Sequence, residues 1–160
     1  ALAFIQTHDV LVCRYDIAYS NAGFDLLILK LPFAGKRVAD FGDWFDYAGE
    51  HERIFGYLDQ LDLAFISGDW ETVDVFRPIS THCHAQLIIT LGAQGSVALS
   101  NGQLIHQPAL PVAQIIDTTG CGDAFQAAFT VNYFQSSNLR TALLAGATQA
   151  AQTLQHLGAI

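Results

Sequence analysis

The sequence predicts an α/β layered fold, and three observations predict it. Short apolar runs recur between turn residues, stretches of helix length separate them, and beyond residue 92 the alternation gives way to a two-strand ribbon closed by Asn101-Gly102. The apolar runs are "DVLVCRY" at 9–15, "RVADFGD" at 37–43, "LDLAFISG" at 61–68 and "AQLIITLG" at 85–92. They are continuous rather than alternating, which suits strands of a parallel sheet covered on both faces. Between them the spacing predicts helices at 22–31, 46–60 and 70–82, with Pro32 and Pro78 ending or kinking theirs. Strand then helix, repeated, is the order of an α/β sheet with helices layered on it.

The ribbon follows. "GSVALSN" and "GQLIHQPAL" are two strand-like runs meeting at Asn101-Gly102, the dipeptide best suited to the positive φ angles of a tight hairpin. A β-hairpin is therefore expected at 95–109. Pro108 and Pro111 lead into "AQIID", then into a glycine-opened helix, and a last helix is expected at 138–157, where the small residues of "TALLAGATQAAQTL" permit close packing. No repeat, low-complexity tract or linker interrupts the chain, so residues 1–160 are expected to form one domain.

Bulk properties narrow the function. A chain of 160 residues buries roughly 70% of its unfolded surface, enough for a real core. With 51% hydrophobic and 14% charged residues and a mean hydropathy of +0.29, it is apolar enough that some surface is expected to need covering by a partner. No apolar run reaches the ~18 residues of a membrane span. The start "ALAFIQTHDVLVC" carries neither a basic leader nor a cleavage region, so a cytoplasmic protein without a membrane is expected. A formal net charge of -8 argues against nucleic acid as a partner. Any phosphate must be bound locally, by backbone amides. Cys13, Cys83 and Cys121 are dispersed without a CxxC pair, which suggests reduced thiols. His82-Cys83-His84 is read as structural or solvent-exposed, because adjacent ligand types seldom aim at one metal and no second cluster completes a set.

The informative stretch is "IIDTTGCGDAFQAAF" at 115–129. Glycine costs a helix about 0.8–1 kcal/mol relative to alanine, yet Gly120 and Gly122 stand at the mouth of an apolar helix. A helix start carries unpaired N–H groups and the positive end of the peptide dipoles. With glycine at 120 and 122 an oxyanion can reach the amides of residues 120–123 directly. Asp123 beside such a hole can accept the proton of an alcohol attacking a bound phosphoryl group. The plainer alternative is that Asp117 or Thr118 caps the helix, the glycines form a tight turn and Asp123 complements the dipole. Two rival nucleotide motifs fit poorly. A dinucleotide GxGxxG should follow the first strand, and here Phe125 takes the third glycine position; a Walker GxxxxGK string is absent.

"DTTGCGDAF" resembles the C-terminal signature of the PfkB (ribokinase-like) carbohydrate kinases, Asp-Thr-x-Gly-Ala-Gly-Asp. "IITLGAQGSVAL" resembles their Thr-x-Gly-x-x-Gly segment. Together with "ADFGDWFD", "LDLAFIS" and the tail "ALLAGATQAAQTLQHLGAI", the chain is most similar to the fructoselysine 6-kinase group of that family, over almost all of its length. The resemblance implies a ribokinase-like three-layer α/β/α sheet, truncated on its N-terminal side, and ATP-dependent phosphorylation of a sugar hydroxyl. It implies that Asp123 is the catalytic base and that Gly120, Cys121 and Gly122 form the anion hole. Thr90, Gly92 and Gly95 match the nucleotide segment, for which a simple strand-to-hairpin turn is the alternative. Asp117 and Thr119 match positions that hold the loop, in some relatives around a monovalent cation. ATP and Mg²⁺ are the implied cofactors.

Two departures stand out. The Asn-x-x-Glu motif that orders magnesium in many relatives is replaced by "FISGDWET", where Asp69 or Glu71 is the candidate substitute and a solvated helix start the plainer role. The resemblance also begins in the middle of the family's chain, so the lid and the Gly-Gly sugar loop are missing and sugar binding is expected only when that half is supplied. Two readings follow: the ATP-binding half of a sugar kinase, or an inactive remnant that still binds nucleotide. Both expect ATP or ADP as ligand and a homo-oligomer or partner chain over the exposed strands, "DVLVCRY" first.

Overall fold

The computed structural model describes residues 2–15, 31–47 and 52–158. Among these, six strands form one sheet in the order β1 (Val10–Arg14), β2 (Lys36–Asp43), β3 (Leu63–Ser67), β4 (Gln86–Thr90), β5 (Ser96–Ser100), β6 (Gln103–Gln107). The chain divides into two compact units, Ala1–Ile89 with Leu99–Gln103, and Thr90–Ala98 with Leu104–Ile160. An α/β sheet is what the four apolar runs and the ribbon predicted, and its ribokinase-like character is what the resemblance implied.

In the first unit β1 pairs parallel with β2, and β2 parallel with β3. Backbone bonds at the strand starts keep them level: Lys36 N donates to Asp9 O at 2.8 Å, Asp62 N to Arg37 O at 2.8 Å and Gln86 N to Asp62 O at 2.9 Å. The continuous apolar runs are covered on both faces, with Val38, Leu63, Ala64, Leu87, Ile88 and Ile89 all fully buried. β1, at the end of the sheet, has no buried position: Val10, Leu11 and Cys13 are half-buried, and Val12 and Arg14 are exposed.

The helix expected at 22–31 lies, but for Leu31, outside the described residues, and so does the helix that Pro32 would end. The continuous helix expected at 46–60 does not form. Its described part is a 3₁₀ turn Trp44–Tyr47, a single turn α2 (Glu52–Phe55; α1 is Leu2–Ile5) and a 3₁₀ turn Leu58–Gln60. Gly56 follows α2, and the bonds around it span three residues rather than four, Tyr57 N to Ile54 O and Gln60 N to Tyr57 O. These tighter turns bring Trp44, Tyr47, Ile54, Leu58 and Leu61 into the core.

Helix α3 (Trp70–Ile79) begins on a capping box: Asp69 accepts the Thr72 N–H at 2.9 Å, and Thr72 Oγ1 accepts the Asp69 N–H at 3.2 Å. It stops one residue past Pro78, shorter than the expected 70–82. The hairpin turn is as predicted, Asn101 and Gly102 both having positive φ, 49° and 74°. Ser80 Oγ accepts the Gly102 N–H at 3.1 Å and Arg77 Nε donates to Gly102 O at 3.1 Å, so α3 pins the turn.

The second unit is dominated by α4 (Cys121–Ser136) and α5 (Leu139–Thr153), an antiparallel helical hairpin. Ser137 turns the chain at φ 53°, and Asn138 caps α5 by accepting the Arg140 and Thr141 N–H groups at 3.0 and 3.3 Å. Phe129 is fully buried, a contribution of about 1.5–3 kcal/mol. Phe125, Phe129 and Tyr133 stack along α4 with centroids 6.0 Å apart at each step. Among the described residues no helix is long and apolar enough to cross a membrane.

Candidate active site

Every residue matched to the signature and to the nucleotide segment belongs to the second unit, in two turns, while Asp69 and Glu71 lie in the first unit at the start of α3. In the first turn Thr90 ends β4 and a 3₁₀ turn, Gly92–Gln94, leads to β5. Leu91 N donates to Gly95 O at 2.8 Å and Gly95 N to Gly92 O at 3.0 Å, closing the turn on itself. The His106 ring N–H braces it from β6, donating through Nε2 to Gln94 O at 2.9 Å. Gly92 has φ 56° and open space where a Cβ would stand. Gly95 has φ 97°, and a Cβ there would run into the backbone of Gln107, Pro108 and Ala109. The two glycines thus answer different demands: Gly92 leaves room, and Gly95 lets β6 approach.

The second turn precedes α4. Gly120 adopts φ 76°, ψ 0°, the left-handed conformation open to glycine, and is the helix N-cap with no side-chain cap bond. Asp117 and Thr118 therefore do not cap α4, and the plainer reading of them as caps does not hold. Asp117 instead organises the loop: its Oδ1 accepts the Thr119 N–H at 2.9 Å and the Thr119 hydroxyl at 2.8 Å, and its Oδ2 accepts the Gly158 N–H at 2.9 Å. The backbone donations from Thr119 and Gly158 hold the Asp117 carboxyl below the usual carboxylate range.

Of the four amides expected to be open, one is not. Cys121 N–H turns back onto Thr118 O at 3.2 Å. The amides of Gly120, Gly122 and Asp123 meet no acceptor among the described residues, the first helical bond running from Ala124 N to Gly120 O at 2.9 Å. Gly122 is exposed, and a Cβ built there touches nothing within 4 Å, so the space before the free amides is open. Asp123 is exposed beside them in the first turn of α4. Cys121 is half-buried, and its thiol is pushed above the usual thiol range by burial first and by the Asp123 charge second.

This turn can receive a small anion on peptide N–H groups and offers a carboxylate at its edge. Among the described residues no three His, Cys, Asp or Glu side chains gather into a metal set. The structure brings Asp117, Thr119, Gly120, Cys121, Gly122 and Asp123 into one turn, whereas Thr90, Gly92 and Gly95 form a turn of their own. Reasoning from sequence missed Gly158, the partner of Asp117, and Leu154, whose carbonyl accepts the Ile116 N–H at 2.8 Å. A glycine just past the final helix was the available signal. Nothing along the chain tied it to a residue 41 positions earlier.

Residues 62–160 match the family described as pfkB family carbohydrate kinase. The chain is 34% identical to the fructoselysine 6-kinase of Escherichia coli (strain K12) over 134 residues, covering 81% of this chain and 49% of that protein. It is 37% identical to the fructosamine kinase FrlD of Bacillus subtilis (strain 168), covering 99% of this chain and 54% of that protein. Its fold matches Arabidopsis thaliana ribokinase complexed with ribose and ATP at a TM-score of 0.71, with 22% identity, over 99% of this chain and 53% of that one. The chain thus spans about half the length of the curated relatives it matches. With its signature loop opening α4 and its family match over the region that carries that loop, the chain belongs to the pfkB family of carbohydrate kinases.

Proposed function

We propose that these 160 residues are the nucleotide-binding and proton-accepting half of an ATP-dependent kinase that phosphorylates a sugar hydroxyl, with fructoselysine-type sugars as the substrate class. One observation carries the reading: the turn at Gly120 leaves the amides of Gly120, Gly122 and Asp123 without protein acceptors, in front of open space and beside an exposed carboxylate. A transferring phosphoryl group needs positioning and stabilisation of its oxygens more than covalent help. The free amides and the positive end of α4 supply these. Asp123 accepts the proton of the sugar hydroxyl as it attacks. Gly92, with room in front of it, and Gly95 line the nucleotide with Thr90. Asp117 and Thr119 hold the loop, around a monovalent cation in one version of the reading.

Magnesium suits this site as an ion carried by the nucleotide. Mg²⁺ keeps most of its waters and is held through one or two carboxylates together with phosphate oxygens, which asks for no protein cage. The sugar is read by residues outside this chain's 160, and the names of the two bacterial relatives support the substrate class. The cytoplasm is the proposed location.

The test is titration with ADP and ATP, followed by a coupled assay with fructoselysine and simpler ketoses, with and without the N-terminal half of a relative. Nucleotide binding by the chain and transfer only in the presence of that half are expected. Failure to bind either nucleotide would defeat the reading. The second reading, an inactive remnant that self-associates, draws on Val12 of the terminal strand β1, 56% exposed, and Val131 of α4, 58% exposed. It predicts binding without transfer under every condition, and an oligomer in sedimentation.

A further inference from the structure

The loop that opens α4 is held from behind by the turn that follows α5. Leu154 O accepts the Ile116 N–H at 2.8 Å, and Gly158 N–H reaches Asp117 Oδ2 at 2.9 Å. The other oxygen of the same carboxylate accepts both the N–H and the hydroxyl of Thr119, one residue before the left-handed Gly120. One planar carboxylate therefore joins the final turn on one side to the anion loop on the other. Gly158 presents its N–H from φ 78°, a conformation that a β-branched residue adopts only under strain. The final turn is bonded in its own right: Gln155 N–H meets Gln152 O at 3.1 Å and His156 N–H meets Thr153 O at 3.1 Å. It offers Asp117 a formed anchor.

We propose that the turn at 154–158 is a positioning element for the phosphate-binding loop, with the Asp117–Gly158 hydrogen bond as the latch. The proposal rests on the kinase reading for its consequence in binding, but the latch has a readout of its own. Asp117 acts here through Thr119 and Gly120, so it is a positioning residue. When the bond is lost, Asp117 rotates away from Thr119, the turn ahead of Gly120 loosens, and the three free amides no longer face one anion.

The test compares the full chain with Asp117→Asn, Gly158→Val and Leu157→Ser. Leu157, 82% exposed, neighbours the latch without taking part in it. Amide hydrogen exchange over residues 118–123 is read alongside ADP titration in tetramethylammonium buffer, which keeps small monovalent cations out of the comparison. Asp117→Asn and Gly158→Val are each expected to speed exchange of that segment and weaken ADP binding by about tenfold, the scale of one charge-assisted hydrogen bond. Exchange over residues 86–100 stays unchanged, and Leu157→Ser behaves as the parent. If Gly158→Val leaves both the 118–123 exchange and the ADP affinity within twofold of the parent, the latch is overturned. It is likewise overturned if either variant loosens residues 86–100 equally, because the effect is then global. A parent chain that binds no ADP defeats the kinase reading, while the exchange comparison still decides the latch.

Discussion

Gly146 of α5 faces the ring of Phe125 in α4 so closely that a Cβ added to it would lie 2.7 Å from both Cδ2 and Cε2. The ring is buried and stacked on Phe129, so it has no free direction in which to yield. Gly146→Ala is expected to destabilise the chain by about 1–3 kcal/mol through overpacking, although alanine is the better helix former by about 0.8–1 kcal/mol. Denaturant unfolding measures it. A neutral or stabilising outcome would show that the two helices are more loosely packed than this contact requires.

Gly122 offers the opposite case. Its φ is not positive and nothing lies where a Cβ would be placed, so Gly122→Ala is expected to leave stability unchanged or raise it by up to about 1 kcal/mol. On the proposed function, the same methyl group would stand where a phosphate oxygen approaches the free amides. ADP affinity should therefore fall while the melting temperature holds or rises. A variant with unchanged affinity would remove Gly122 from the anion site.

Asp123→Ala separates binding from chemistry. Its carboxylate is exposed and does not hold the loop, a task that falls to Asp117. Calorimetric titration should find ADP binding as strong as in the parent or slightly stronger, since a negative charge beside the anion is gone. Transfer by the complemented enzyme should be lost, general-base catalysis contributing about 10²–10⁴-fold.

Asp123 also acts on Cys121. Burial and then the Asp123 charge raise its thiol above the ordinary range, so less thiolate is present at neutral pH. Alkylation of Cys121, followed by peptide mapping, should be slower than that of a free cysteine, and Asp123→Asn should speed it. Equal rates in parent and variant would mean that the carboxylate exerts no field on the sulfur.

The cap of α3 sets an acid limit. The Thr72 N–H, first among the donors to Asp69, holds this carboxylate below its usual range. A lowered native pKa means that the unfolded chain binds the proton more readily, so the cap's contribution is complete above roughly pH 5 and is lost as pH falls below about 4 through the native value. The stability difference between parent and Asp69→Ala should accordingly shrink between pH 5 and 3. A difference independent of pH would exclude the ionised cap as its source.

Much of this fold was legible because its signals are local. Apolar runs free of polar alternation marked the strands buried on both faces, and Asn101-Gly102 marked the hairpin, where two consecutive positive φ angles leave few other choices. The region 46–60 was misread because its apolar positions fit a helix as readily as a chain of tight turns, and Gly56 carries too weak a preference to decide between them. At the candidate site the glycine pattern revealed which amides could be bare, but not that Thr118 O would claim the one at Cys121. Nor could it reveal the bond from Asp117 to Gly158, which exists only once α4 and α5 have brought the chain's end back.

The loop before α4 is fastened on both sides of its open amides, at Thr119 by Asp117 and at Ala124 by Gly120 O. A nucleotide would then find its cradle already set, with little ordering left to oppose capture. What would slow its arrival is the chain's own charge of -8, felt by a polyanion at distances where the peptide dipoles are too weak to matter. Added salt shortens that long-range repulsion and barely touches the contacts made at the end of the approach. Such a chain should take up ADP faster in moderately salty water than in dilute buffer.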